Sequence, residues 1–414
     1  METRMNKQVI TIGCFFFIFG FISWVNGTLI PYLRIACELE EWQAYLVTFA
    51  FYISYTFMAL PSSRILVRTG MVRGIQTGLL IMAMGCLLFV PAALMRYYPL
   101  FLAGLFVAGA GTTLLQTAVN PYITKLGDPA RAAQRMSLMG ICNKFAGILA
   151  PMILGAIILK NSDGLLAELE SMGTVAKTAR LDELARDVIM PYIVLTVLLC
   201  LIALGIKYAH LPEIEPSADE LLHSQEQELP HTKKNYDGVF LLGFTAIFVS
   251  VGVEVIAGDT IGNYGIYQGV RLDIAKSLTS YTLAAMLTGY VLGVLFVPRL
   301  ISQEKAFLYS SLLGALLTLF AVFVPRQGSI VFIALLGFAN AMLWPAIWPL
   351  ALKGLSGALL NRGSAILIMG IAGGAILPLV YSWLSIVSNN QLAYLLLLPC
   401  YLFNVYYQIS RTKK

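Results

Sequence analysis

Three ionisable residues lie inside long apolar stretches of this 414-residue chain: Lys144, Glu254 and Asp259. A charge at the depth of a lipid bilayer costs roughly 2.5–3.5 kcal/mol on insertion scales, so such residues persist mainly when they are paired or functional. One cation and two anions leave a formal charge of −1 if all three are ionised. This balance predicts a place for one small cation and indicates ion-coupled transport.

The chemistry of the two carboxylates leaves three interpretations open. Glu254 and Asp259 are five residues apart, which on an ideal helix separates them by about 140°. Gly252 and Gly258 bracket the segment and would let it unwind, so that freed carbonyls and the two carboxylates form a sodium site. The alternatives are a proton site at one carboxylate, or a fixed bridge from Lys144 to one of them.

The composition is typical of a membrane protein. Hydrophobic residues make up 58% of the chain and charged residues 12%, whereas charged residues make up about 25% of soluble domains. A helix needs ~20 apolar residues to cross the hydrocarbon core. Because the apolar runs are long and continuous, we predict an all-α membrane protein with twelve transmembrane helices, at about residues 8–33, 43–66, 72–95, 99–124, 133–160, 189–211, 238–264, 278–298, 306–325, 329–352, 363–384 and 391–409. We expect the first run to be a span, since it is too long for a signal peptide.

Two polar segments divide the chain. Residues 161–188 are acidic and are predicted to form an external loop with some helix of its own, while residues 212–237 contain three prolines. Six spans, a hydrophilic linker and six more spans are the organisation of a duplicated transporter. We therefore predict an N-terminal half at 1–211, a cytoplasmic linker at 212–237 and a C-terminal half at 238–414.

The net charge of +6 is explained by orientation. Lysine and arginine concentrate in the loops that face the cytoplasm if both termini lie inside, as the positive-inside rule requires. We therefore expect cytoplasmic termini and no nucleic-acid partner. The short basic loops after spans two and eight are predicted to clamp neighbouring helices as a cytoplasmic gate, or to act only as anchors; their arginines are Arg64, Arg68, Arg73 and Arg299.

The sequence gives no sign of enzymatic chemistry. The six cysteines are scattered in or beside the spans, without a Cys/His cluster, so neither a disulfide framework nor a zinc site is indicated. Paired catalytic carboxylates or a Ser/His/Asp set near the membrane interface are also missing. We expect no enzyme activity and no cofactor beyond a coupling ion, Na⁺ or H⁺.

Three stretches carry a resemblance to a known family. The fourth span reads LLQTAVNPYITKLGDPARAAQR, the first FGFISWVNGTLIPYL and the seventh VGVEVIAGDTIGNYG. They resemble the fucose and glucose/galactose permeases of the major facilitator superfamily. The resemblance implies two six-helix halves around a central cavity and alternating access to a monosaccharide.

The resemblance fails at two positions that matter for coupling. Where the proton-coupled fucose permease has an Asp in span one and a Glu in span four, this chain has Gly27 and Gln116. Neither residue can take up and release a proton, so the proton relay of that permease is not carried over. Sodium therefore becomes an option, with the titratable groups moved to spans five and seven.

Amide and aromatic residues inside the spans are the candidates for holding a sugar. Amides donate and accept hydrogen bonds, as sugar hydroxyls do, and indole rings stack on the C–H face of a sugar ring. The predicted substrate site comprises Trp24, Asn26, Gln116, Asn120, Asn143, Asn263, Asn340 and Trp344. Each amide could instead join helices by hydrogen bonds.

Together these features predict a cation-coupled monosaccharide importer, a monomer that spans a bacterial inner membrane several times. Two alternatives share the fold. One is an exporter of a drug-like or lipid substrate, which would have a more apolar cavity. The other is a uniporter without ion coupling.

Overall fold

A computed structural model describes residues 2–125, 132–158, 165–206, 236–297, 300–352 and 366–412, and the regular elements in these ranges are all helical. Within these described ranges twelve segments are long and apolar enough to cross a membrane, which confirms the predicted number. Numbered one to twelve, these spans are Gln8–Ala36, Glu41–Leu66, Met71–Leu94, Tyr98–Val119, Leu138–Ile158, Thr174–Gly205, Leu241–Asp259, Leu272–Phe296, Gln303–Phe323, Gly328–Ile347, Ile366–Val387 and Leu392–Ser410.

Several spans are built from more than one helix. Span one breaks at Val25, and the helix of span seven ends at Asp259 before a short helix begins at Ile261. The helices are Glu2–Trp24, Asn26–Ala36, Glu41–Ala44, Leu46–Thr69, Met71–Leu87, Phe89–Leu94, Tyr98–Lys125, Ala132–Ile158, Leu165–Ser171, Thr174–Arg186, Ile189–Gly205, Tyr236–Asp259, Ile261–Tyr267, Leu272–Ala275, Leu278–Phe296, Gln303–Phe323, Gly328–Asn340, Leu343–Leu352, Gly373–Val387 and Leu397–Thr412, with 3₁₀ turns at Gly370–Ala372 and Leu392–Leu396.

The acidic segment that precedes the apolar part of span six contains the helix that its sequence predicts. It forms Leu165–Ser171 and Thr174–Arg186, and the phenol of Tyr32 in span one donates to the carbonyl of Leu184 at 2.7 Å. Lys177 also pairs with Glu38 at 2.8 Å. These contacts fasten the loop over the end of the bundle at which residues 37–40 join spans one and two. We call this end the outer end, because the sequence predicts that it faces away from the cytoplasm.

Small residues bring the helices within each half into close contact. A Cβ atom placed on Gly111 in span four would lie 2.5 Å from the backbone nitrogen of Met82 in span three. One on Gly373 in span eleven would lie 1.8 Å from the carbonyl oxygen of Phe248 in span seven. Backbone packs on backbone at both places, so these helices have no room for a side chain.

The two six-helix halves meet along spans two and eleven and along spans five and eight. At the outer end the ring of Tyr45 in span two packs edge-on against Tyr381 in span eleven, with centroids 6.0 Å apart. Most of the predicted linker falls in residues 207–235, outside the described residues, so the proposed boundaries at 211 and 238 stay a prediction.

A substitution of Gly111 by alanine should destabilise the protein by about 1–3 kcal/mol, the range typical of overpacking. The added methyl group meets backbone atoms, which have no rotamer through which to move away. The melting temperature in detergent, with unfolding monitored through aggregation or thiol exposure, measures the effect. Gly173→Ala is the matched control, because its Cβ would have no neighbour within 4 Å; equal melting temperatures for both variants would contradict the packing argument.

Candidate substrate cleft and buried charges

Lys144 and Glu254 form an ion pair between the halves. Lys144 lies on the helix Ala132–Ile158 of span five and Glu254 on the helix Tyr236–Asp259 of span seven. The Nζ of Lys144 lies 2.5 Å from the Oε1 of Glu254, and the lysine is only 6% exposed. The ring of Trp24 lies 4.4 Å from the same Nζ, a cation–π distance. The ammonium group therefore has a carboxylate and an aromatic face as partners.

Asp259 lies apart from this pair. It is fully buried, and its Oδ2 accepts a hydrogen bond from the Oγ1 of Thr48 in span two at 2.9 Å. Its Oδ1 has no partner among the described residues. A single charge-assisted hydrogen bond does not replace the hydration of a carboxylate. If all three groups are ionised, the −1 balance read from the sequence therefore falls on Asp259.

The expected unwinding between Gly252 and Gly258 is wrong. The helix runs without a break through Asp259, and the first interruption follows at Thr260. Both glycines serve packing instead. A Cβ on Gly252 would lie 2.1 Å from Leu377, and one on Gly258 would lie 2.6 Å from the indole of Trp24.

The two carboxylates are also unequal as ligands for the predicted sodium ion, because Glu254 already holds Lys144 and Asp259 faces span two. Within the residues that the structure describes, His, Cys, Asp and Glu form no group of three or more that could hold a metal.

A narrow cleft of about 10 Å³, enough for one water molecule, lies between the halves at spans two, four, ten and eleven. Its lining combines an amide, a phenol, two hydroxyls, an indole and two aliphatic side chains: Tyr55, Thr113, Gln116, Thr117, Trp344, Ile368 and Ile371. The Nε2 of Gln116 donates to the phenol oxygen of Tyr55 at 2.8 Å. The lining thus contains uncharged donors, acceptors and one large aromatic face.

Two threonines of this cleft follow one face of span four. Thr113 and Thr117 donate to the carbonyls of Gly109 and Thr113, one turn earlier, at 2.9 and 2.7 Å. Each hydroxyl oxygen keeps lone pairs with which to accept a hydrogen bond.

Among the predicted substrate residues that the structure describes with their side chains, Gln116 and Trp344 line the cleft. The side chain of Asn120 lies outside the described part of the chain. The sequence interpretation missed Tyr55, Thr113 and Thr117. A signal for the threonines was present, because Thr113 and Thr117 flank Gln116 at the spacing of one helix face.

Other predicted amides join helices. The phenol of Tyr401 in span twelve donates to the Oδ1 of Asn340 in span ten at 2.7 Å, and the Nδ2 of Asn340 lies 3.5 Å from the carbonyl of Val253. Asn143 donates to the carbonyl of Phe16 at 3.4 Å and so joins spans five and one. For these two residues the geometry agrees with the alternative interpretation, in which the amides join helices by hydrogen bonds.

The remaining residues of span one are enclosed by protein. Trp24 is 3% exposed and packs under Lys144, while Asn26 is fully buried, with both amide atoms unpartnered among the described residues. A Cβ on Gly27 would lie 2.4 Å from the Oγ1 of Thr279 in span eight. The packing at Gly27 therefore has no room for the aspartate that the fucose permease pattern would place there.

Asn263 lies at the outer end, away from the cleft. Its Oδ1 accepts from the Nη1 of Arg34 at 2.6 Å, and its Nδ2 lies 3.1 Å from the Oε1 of Glu41 and 3.3 Å from the phenol oxygen of Tyr45. Asn263 belongs to the C-terminal half and its three partners to the N-terminal half. This single amide therefore joins the halves at the outer end.

The predicted arginine gate has no partners in the described ranges. Arg64, Arg68 and Arg73 are exposed, and the ion pairs between described residues do not include them. Arg299 lies outside the described residues. The gate stays a prediction.

Twelve spans in two halves, a polar cleft between the halves and a charged pair across them define a multi-pass membrane carrier. The family comparison agrees with this class: residues 12–377 match the Major Facilitator Superfamily. The chain belongs to that superfamily, and it is a transporter and not an enzyme.

Two relatives and one solved structure illustrate the likeness. The "Glucose/galactose transporter" of Brucella abortus is 32% identical over all of this chain and 97% of its own. The "L-fucose-proton symporter" of Escherichia coli is 26% identical over 91% of this chain and 86% of its own. The crystal structure of the transporter FucP in the outward conformation shares the fold, with a TM-score of 0.75 and 24% identity over 99% of each chain.

Removing one partner of the Lys144–Glu254 pair should destabilise the protein by about 3–5 kcal/mol, because it leaves a buried charge unpaired. Lys144→Met should therefore lower the melting temperature strongly. The double variant Lys144→Met/Glu254→Gln should recover much of that loss, since no unpaired charge remains. Thermal unfolding of both in detergent measures this coupling, and a double variant less stable than the single one would argue against it.

Proposed function

We propose that this protein is a secondary active transporter that imports a monosaccharide of the glucose, galactose or fucose type across a bacterial inner membrane by alternating access. The observation that carries the proposal is the uncharged polar lining of the narrow cleft between the two halves, which must widen to admit a sugar. The relatives described as a glucose/galactose transporter and an L-fucose–proton symporter support the same substrate class.

The cleft offers the chemistry that a sugar needs. Gln116 and Tyr55 form a hydrogen-bonded pair whose remaining donors and acceptors match vicinal hydroxyls. Trp344 supplies an aromatic face for the C–H side of the ring, and Ile368 and Ile371 supply apolar surface. An apolar substrate would leave these polar groups without partners, at a cost of about 1–3 kcal/mol each. This lining therefore disfavours the apolar substrate of a drug or lipid exporter.

We also propose that uptake is coupled to one cation, Na⁺ or H⁺, through Lys144, Glu254 and Asp259. The ion pair across the halves and the uncompensated carboxylate of Asp259 support this role. The sequence departures at Gly27 and Gln116 support a position of the coupling groups outside spans one and four.

Removing a cleft hydroxyl should weaken sugar binding, because a sugar hydroxyl then loses a partner. We expect Thr117→Val to raise the Kd of the transported hexose about fivefold to a hundredfold, from the ~1–3 kcal/mol of an unmatched group. Isothermal titration with glucose, galactose and fucose measures the effect. Thr288→Val is the matched control, since Thr288 makes the same bond to the carbonyl one turn earlier but is exposed away from the cleft. Equal losses of affinity in both variants would contradict the assignment of the cleft.

Neutral substitutions of the carboxylates should separate coupling from exchange. In proteoliposomes with an imposed sodium gradient or an imposed proton gradient, we expect one gradient to drive sugar accumulation by the wild type. Asp259→Asn and Glu254→Gln should lose accumulation and keep counterflow exchange, because exchange needs no net ion movement. Accumulation at the wild-type level in both variants would overturn coupling at these residues, and a wild type that ignores both gradients would indicate a uniporter.

A further inference from the structure

Two contacts lie one turn apart, at the last residue of span seven and on the short helix Ile261–Tyr267 that follows it, and both reach span two. Asp259 accepts from Thr48, and Asn263, four residues later, lies 3.3 Å from the phenol of Tyr45. Tyr45 precedes Thr48 by three residues, so the two contacts run side by side along spans two and seven. We call these four residues, with Arg34 and Glu41 bound to Asn263, the outer seam.

The outer seam joins the N-terminal half to the C-terminal half. The part around Asn263 is a well-satisfied polar network, because the Oδ1 of Asn263 accepts from Arg34 at 2.6 Å and its Nδ2 donates to the Oε1 of Glu41 at 3.1 Å. The other part contains Asp259, which is fully buried, with one oxygen hydrogen-bonded and the other unpartnered among the described residues. A closed seam therefore encloses a carboxyl group whose charge is not balanced by its surroundings.

The other charged or titratable groups around Asp259 do not supply that balance. The phenols of Tyr45 and Tyr52 on span two lie close enough to interact with its charge, and neither is a cation. On its own helix, Glu254 is already paired with Lys144 of span five. Arg34 and Glu41, which face Asn263, form an oppositely charged set of their own.

We propose that the outer seam is a cation-operated latch: it closes when Asp259 is neutralised by a bound monovalent cation, a proton or a sodium ion, and opens when that cation leaves. A buried carboxylate is strongly disfavoured unless it is neutralised or paired, whereas an open seam lets water hydrate it. The closed seam therefore binds the cation more tightly than the open one, and by linkage the cation shifts the halves toward closure. This inference rests on the proposed function, to which it adds the gate on which the coupling ion acts.

The latch gives a direction to the transport cycle. When the carrier has released its cation on the opposite side, the charge on Asp259 disfavours the closed seam and drives the outer end open. Binding of a cation to Asp259 from the outside then permits the outer seam to close. Asn263 fixes how the two halves align when the seam is closed, because its amide bonds a cationic and an anionic side chain of the other half at the same time.

Spin labels on either side of the seam test the latch without sugar. Trp42 and Tyr267 are exposed residues of the N-terminal and C-terminal halves at the outer end, so Trp42→Cys and Tyr267→Cys are introduced after the six native cysteines have been replaced. Distances between the two labels are measured by pulsed electron paramagnetic resonance in nanodiscs. One arm compares Na⁺ with choline at fixed pH, and the other varies the pH in choline. We expect saturating cation to raise the ratio of closed to open outer ends at least about tenfold, and the arm that responds identifies the ion.

Two variants complete the test. Asp259→Asn should favour the closed outer end at every pH and sodium concentration, because its side chain is always neutral. Asn263→Ala should favour the open end even with cation, and Asn404→Ala is its matched control, since Asn404 is a buried amide bonded to Ser250 within the C-terminal half. If neither ion changes the wild-type distances, or Asp259→Asn responds to the ion as the wild type does, the latch is wrong. Because no sugar is present, a failure of the sugar cleft would not alter these results, and the wild-type titration stands even if a variant fails to fold.

Discussion

A lysine enclosed at bilayer depth requires an anion within reach, and in this chain Glu254 of the opposite half supplies it. The Lys144–Glu254 contact at 2.5 Å is stabilised further by the ring of Trp24. In an apolar surrounding such a pair is strong only while both partners are present. The two halves therefore share an interaction that neither could satisfy alone, and spans one, five and seven are held together around it.

This pairing decides the role of the remaining charge. Since Lys144 is occupied, Asp259 has a single donor, Thr48, and a second oxygen without a partner among the described residues. Its neighbour on the next turn, Asn263, is fully engaged by the other half. A satisfied polar contact and an unsatisfied one thus lie beside each other, at the end of span seven and on the helix that follows it. The proposed dependence of outer-end closure on the neutralisation of Asp259 is based on that combination.

The cleft and the buried charges occupy different places in the molecule. The cleft of Gln116, Tyr55 and Trp344 contains no charged side chain among its lining residues, and the charges lie on spans five and seven. Gly27 packs against Thr279 so closely that a larger residue does not fit. The same packing that brings spans one and eight together thereby leaves no room for a carboxylate at that position.

The sequence by itself determined the class of fold, because twelve apolar runs of bilayer length leave the backbone no alternative to helices. It also determined which charges matter, since Lys144, Glu254 and Asp259 are anomalous in any apolar run. Only the tertiary structure decided their partners. Pairing depends on which faces of distant spans meet, as the contacts of Asp259 with Thr48 and of Asn263 with Arg34 illustrate. For the same reason Asn143 and Asn340 were indistinguishable in sequence from Gln116, although they join helices while Gln116 lines the cleft.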